Sequence, residues 1–171
     1  VKRNDPRDAF LSFENKSFID LKPGSKVGTS SFRREAQLNL LRNDIQILGM
    51  RGNIDTRISK LKNKEFDAIV LSLAGINMLN LTNEVQEVFT TEQMLPAVGQ
   101  GAIALQCKED DKKILNIIQK VNDKETYYCI QAERALLKAV GGDCDTAIGG
   151  LAKISNEKIL LKTELFSDDG K

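Results

Sequence analysis

Histidine and tryptophan are absent from the 171-residue chain. Without imidazole, the side chain best suited to proton transfer near neutral pH is missing, and so is the commonest ligand of zinc and copper. The three cysteines, at 107, 129 and 144, show no CxxC spacing. Their odd number suits a reducing compartment better than a disulfide framework. No apolar run is long enough to span a bilayer, and no signal-peptide pattern is present. An excess of one charge is missing too. Lys+Arg is 25 against Asp+Glu 24, a net charge of +1. That balance argues against general binding to nucleic acid or membrane and leaves room for a local basic pocket. Neither a Walker A run nor GxGxxG occurs, so nucleotide binding has no motif behind it. The chain starts at Val1 and ends in a turn signal, Asp168-Asp169-Gly170-Lys171, so it reads as a piece of a larger protein.

What is present is an alternation of short apolar strands with amphipathic helices. Residues 1–8 are polar and contain Pro6, as a linker or hinge does, and Ala9 to Ser12 reads as a strand. Strand 26–28 feeds a helix over 31–42 with Phe32, Ala36, Leu38, Leu40 and Leu41 as its apolar stripe. A strand over 45–50, a helix over 54–63 capped by Asn53, a buried-type strand over 67–72 and a short helix over 74–81 follow. Such alternation predicts right-handed βαβ units on a mainly parallel sheet. Gln86 to Thr90 and Ala102 to Cys107 read as further strands. Helices over 110–121 and 123–139 and two β segments, 148–154 and 158–166, suggest a small α+β domain. Domain boundaries are expected near 96 and 120.

Two strand-to-helix corners stand out. The first is Val27-Gly28-Thr29-Ser30-Ser31-Phe32-Arg33-Arg34, with Ser30 or Ser31 as the helix N-cap. Arginines in the first turn of a helix face its positive dipole end, a cost of roughly 0.3–1 kcal/mol each that vanishes if an anion sits there. The second is Arg51-Gly52-Asn53-Ile54-Asp55-Thr56-Arg57. In an open α/β sheet ligands bind beyond the carboxyl ends of the strands, so the two corners would converge on one crevice. Four guanidiniums there suit several carboxylates better than one phosphate. The competing reading is four solvated surface arginines, with Glu35 and Asp55 as local partners.

Gly141-Gly142-Asp143-Cys144-Asp145-Thr146 places Cys144 in a loop directly after a helix. An exposed loop thiol serves as nucleophile, as covalent attachment point, or in neither role, and its acidic neighbours disfavour the thiolate. Cys107 and Cys129 fall in apolar patterns and read as small buried hydrophobes. Gly99-Gln100-Gly101 allows close backbone approach to a ligand or a hinge, and Leu73-Ala74-Gly75 reads as close packing.

These corners, together with Asp5-Pro6-Arg7-Asp8-Ala9-Phe10, Pro96-Ala97-Val98-Gly99-Gln100-Gly101-Ala102 and Ala132-Glu133-Arg134-Ala135, stand in the order and spacing of one family. Over nearly its whole length the chain resembles the porphobilinogen deaminases, or hydroxymethylbilane synthases. The resemblance implies a transferase of haem-type pigment synthesis that joins four porphobilinogens head to tail with release of ammonia. It works on a dipyrromethane primer held as a thioether, here on Cys144. It implies that Thr29, Ser30, Ser31, Arg33, Arg34 and Arg51 bind primer carboxylates, with Gly101 against the primer from the hinge side. Arg57 and Arg33 would take the carboxylates of the substrate and the growing oligopyrrole. The implied fold is a periplasmic-binding-protein-like α/β domain with a mainly parallel sheet, followed by part of a small α+β domain. Residues 1–8 would be a hinge at the end of domain 1, 9–95 domain 2, 96–120 the hinge and a return segment of domain 1, and 121–171 part of domain 3. The implied enzyme is a monomer when full length, cytoplasmic or plastid, with no metal, nucleic acid or membrane partner.

Three departures accompany the resemblance. Met78 stands where the family has arginine, the cysteine loop is more acidic than usual, and the family's catalytic aspartate has no counterpart in this chain. The rival reading is a non-enzymatic module that holds a small dicarboxylate between two hinged α/β lobes.

Overall fold

The computed structural model describes residues 1–143 and 146–167. Strands β1 (Asp8–Ser12), β2 (Lys26–Gly28), β3 (Gln46–Leu48), β4 (Ala68–Ser72) and β5 (Glu87–Val88) form one sheet in the order β3-β2-β4-β1-β5. β2 pairs in parallel with β3 and β4, whereas β1 runs antiparallel between β4 and β5. The sheet is thus mainly parallel, with β1 alone opposing the common direction. Helices α1 (Phe32–Leu41), α2 (Ile54–Lys62) and α3 (Leu73–Met78) follow β2, β3 and β4 in turn. Ser31 caps α1 by accepting from the Arg34 N–H, and Asn53 caps α2 by accepting from the Thr56 N–H.

Side-chain alternation along β1 and β4 builds a core on each face of the sheet. Ala9, Leu11, Ile69 and Leu71 pack with Ile58, Leu61 and Ile76 on the α2/α3 side. Phe10, Ala68 and Val70 pack with Leu38, Phe18 and Phe89 on the α1 side. The three phenylalanines meet edge to face with ring centroids 5.5–6.0 Å apart. Such pairs add about 0.5–1.5 kcal/mol each beyond their buried area.

Two expectations change. The apolar stripe expected on α1 is buried only at Ala36 and Leu38: Phe32, Leu40 and Leu41 are exposed, and Arg33, Arg34 and Gln37 complete the buried set. The helix turns its arginines inward because a buried carboxylate waits for them there. Residues 102–107 form no strand, and Ile103 and Leu105 are exposed. A strand needs a neighbour to satisfy its backbone, and the five-stranded sheet ends at β3 and β5.

Beyond the sheet come α4 (Lys112–Val121), which buries no side chain, and α5 (Lys124–Ala139). A hairpin of β6 (Ile148–Ser155) and β7 (Lys158–Leu165) packs its first strand on α5. The hairpin turns at Asn156 and Glu157, both at positive φ, the pairing a tight two-residue turn demands.

Candidate functional site

The carboxyl ends of β2, β3 and β4 point to one edge of the sheet, and the antiparallel β1 begins there, with Asp8 opposite Ser72. This register brings a carboxylate to the first turn of α1. Asp8 is fully buried. Its Oδ1 accepts from Arg34 Nε (3.0 Å) and Nη2 (2.7 Å) and from Gln100 Nε2 (3.0 Å), and its Oδ2 accepts from Arg33 Nη2 (2.9 Å). Burial alone would raise the Asp8 pKa. Attraction to Arg34 and Arg33, with hydrogen bonds from Arg34 and Gln100, outweighs it and holds the carboxyl below its ordinary value.

The guanidiniums are anchored further. Arg33 Nη1 donates to the Leu95 carbonyl (2.7 Å) and Arg34 Nη1 to that of Val70 (3.3 Å). Gln37 accepts from the Leu95 N–H at 2.6 Å and donates back to the Leu95 carbonyl at 3.2 Å, clamping that peptide against α1. Burial lowers the Arg33 pKa, partly countered by Asp8. Two buried cations share one buried anion, which leaves an excess positive charge. Arg33 Nε is buried with no hydrogen-bond partner among the described residues. An orphaned N–H beside uncompensated charge suits an anionic group.

The second corner lies alongside. Ser30 Oγ accepts from the Met50 N–H at 2.8 Å, and the Thr29 N–H donates to the Leu48 carbonyl at 3.0 Å, so the two corners are tied together. Arg57 is half-buried, and its Nε donates to the Gly52 carbonyl at 2.7 Å. Its pKa is lowered, first by burial and then by repulsion from Arg34, which places the two cations within each other's field. Arg51 is exposed and makes no hydrogen bond or ion pair among the described residues. Thr29 is buried, with its Oγ1 accepting from the Ser31 N–H at 3.2 Å. The two corners therefore hold two kinds of arginine, Arg33 and Arg34 locked on Asp8, and Arg51 and Arg57 with no carboxylate partner among the described residues.

Gly101 lies against the N-terminal segment at Asn4 and Asp5. Its φ is +83°, and an added Cβ would meet the Asn4 carbonyl oxygen at 2.7 Å. The Asn4 N–H in turn donates to the Gly101 carbonyl at 2.9 Å. Gly101→Ala should cost about 1–3 kcal/mol in a urea melt, and an unchanged midpoint would contradict this packing.

Cys144 and Asp145 lie outside the described residues. The flanks are well tied. Gly141, at φ +66°, donates to the Lys138 carbonyl and Gly142 to that of Leu137, a Schellman stop to α5. Downstream, the Asp143 N–H donates to Thr146 Oγ1 at 2.9 Å just before β6 begins. Cys129 is buried on α5, and burial raises its thiol pKa, while Cys107 is half-buried. Gly75 packs against Ile54, and Met78 is exposed.

Sequence gives Asp8 and Gln100 only as members of longer motifs, with no role of their own, and passes over Gln37. The available signal was Asp8 itself, an acid opening an otherwise apolar strand. A separate cavity of about 170 Å³ at the far end of the sheet is lined by Ser12, Phe13, Lys16, Lys64 and Asp67, among others. Its Glu14 already pairs with Lys16 and Lys22. Among the described residues there is no helix long and apolar enough to cross a membrane and no cluster of acids and thiols suited to a metal.

Residues 1–116 match the family model described as porphobilinogen deaminase, dipyromethane cofactor binding domain, and residues 127–171 match the model of the porphobilinogen deaminase C-terminal domain. A porphobilinogen deaminase of Ehrlichia chaffeensis is 44% identical over 98% of this chain and 57% of its own length. That of Caldicellulosiruptor saccharolyticus is 42% identical over 99% of this chain and 58% of its own length. That of Francisella tularensis is 45% identical over the whole chain and 57% of its own length. The chain thus spans little more than half the length of the curated relatives it matches. Among solved structures, a YaeC-family lipoprotein of Enterococcus faecalis shares 17% identity with a TM-score of 0.43, covering 78% of this chain and 67% of that one.

Proposed function

The chain belongs to the porphobilinogen deaminase family, and on that premise we propose that it is a transferase part that holds a polyacidic pyrrole chain during hydroxymethylbilane synthesis. The observation that carries this reading is the convergence of two arginine corners on one sheet edge, with more positive charge than Asp8 neutralises. Acetate- and propionate-bearing pyrroles are the ligands such a crevice suits. The rival dicarboxylate module is not favoured by the family match.

A dipyrromethane primer, when bound, supplies the free pyrrole carbon on which the linear chain is started. In this reading Cys144 tethers it. Arg33, through its orphaned Nε, and Arg34 hold carboxylates at the floor of the crevice. Arg51 and Arg57 receive them at the rim, where a lengthening chain must be gripped and released. Thr29, Ser30 and Ser31 order the backbone that aims these groups, and Gly101 keeps the hinge close. Residues 96–120 serve as hinge and return segment, and 121–171 as the thiol-bearing domain. The whole enzyme works as a monomer in the cytoplasm or a plastid. Cys144→Ser should abolish ammonia release from porphobilinogen in the full-length enzyme while its far-UV circular dichroism stays unchanged. Retained turnover would refute the tether.

A further inference from the structure

The arginine corner and the packed pair of α5 and β6 are joined by one continuous, partly buried polar chain. Glu133 on α5 is fully buried and anchors its far end. Its Oε1 accepts from Arg3 Nη1 and from the Ala152 N–H of β6 (2.8 Å), and its Oε2 accepts from the Gly99 N–H (2.7 Å) and Arg3 Nη2 (3.2 Å). Arg3 Nε donates to the Gln100 carbonyl at 2.9 Å. The Gln100 side chain then reaches Asp8 and the Pro6 carbonyl. At the near end of the same segment, Leu95 is held by Arg33 and Gln37.

Packing leaves this segment little slack. A Cβ on Gly149 would meet Leu95 at 3.0 Å, and one on Gly150 would meet Val98 at 3.0 Å, so β6 lies directly on it. The Gly150 N–H also donates to the Pro96 carbonyl at 2.9 Å. Residues 95–101 are therefore gripped on one side by α1 and Asp8 and on the other by Glu133 and β6. Charge-assisted networks of this kind rigidify the segment they hold.

We propose that residues 95–101 act as a coupler, with Gln100 and Glu133 as positioning residues, so that a carboxylate entering the arginine corner shifts the α5–β6 unit that carries the Cys144 loop. The purpose of the coupling rests on the function proposed above, since a pyrrole chain growing from a thiol must move relative to the arginines that hold it. The coupling itself does not depend on that reading. The coupling requires that residues 95–101, held from both sides, have a second arrangement that each site biases.

Amide exchange on the full chain tests the proposal. Glu133→Gln should speed exchange of the Gly99 and Ala152 amides about tenfold or more, through loss of charge-assisted bonds. It should also speed the Leu95 amide, which donates to Gln37 and touches nothing of Glu133. Acceleration confined to Gly99 and Ala152 would overturn the coupling. The β4 amides Ile69 and Val70 report whether the fold is intact. If that variant fails to fold, Gln100→Ala keeps both charge clusters and should speed Leu95 and Ala152 together, and a change at neither would overturn the proposal. Adding porphobilinogen separates the two ideas. Shifts at residues 29–34 with Ala152 unmoved would sink the coupler and leave the function standing. No response at 29–34 would sink the function reading, while the variants without ligand still decide the coupler.

Discussion

Replacing Asp8 with asparagine should destabilise the chain by about 3–5 kcal/mol, the usual cost of leaving a buried charge without its partner. Asparagine keeps a carbonyl acceptor and nearly the same volume, so the loss isolates the negative charge. Arg33 and Arg34 would remain buried with no anion between them. A pH series checks the same point. The folded-state pKa of Asp8 lies below its ordinary value. Its stabilisation is therefore fully present above the unfolded pKa of about 3.9 and is lost as pH falls through the folded value. The unaltered chain should weaken steeply in urea melts below about pH 4, and Asp8→Asn should be weaker at neutral pH with a shallower acid limb. Equal stability of the two proteins at pH 7 would remove Asp8 as the keystone of the corner.

The rim arginines should behave in the opposite way. Arg51→Leu with Arg57→Leu should leave stability within about 0.5 kcal/mol, as for surface changes without buried partners. Arg51 is free of hydrogen bonds among the described residues, and Arg57 uses only its Nε. Affinity for porphobilinogen or the pyrrole chain should fall about a hundredfold or more, because each lost charge-assisted hydrogen bond is worth about 1.5–3 kcal/mol. Lys22→Ala, an exposed cation at the far end of the sheet, is the control for net charge and should change neither quantity. Undiminished binding in the double variant would mean that the rim takes no carboxylate.

The contrast between the two arginine pairs marks where sequence reading stops. Local rules placed the strands and helices of residues 26–72, the cap at Asn53 and the α1 cap at Ser30 or Ser31, because side-chain period and capping chemistry are written in adjacent residues. They also placed both corners on one sheet edge, since parallel strands share a direction. They did not reveal that the anion offsetting Arg33 and Arg34 in the structure is the chain's own Asp8. That contact depends on β1 inserting antiparallel beside β4, a pairing of residues 8 and 72 that no local pattern encodes. Glu133 was hidden for the same reason: Arg3 lies 130 residues away. The strand expected over 102–107 failed because alternation shows what a segment could pair with and cannot supply the neighbour.

Peptide mass mapping bears most directly on the idea that a pyrrole chain is leashed by sulfur above the arginines. The protein should be isolated from cells that make porphobilinogen, and its tryptic peptide 139–153, which contains Cys144 and no other cysteine, weighed. The account predicts that peptide heavier by two porphobilinogens less two ammonias. An unmodified peptide, or the same increment on Cys107 or Cys129, would contradict it.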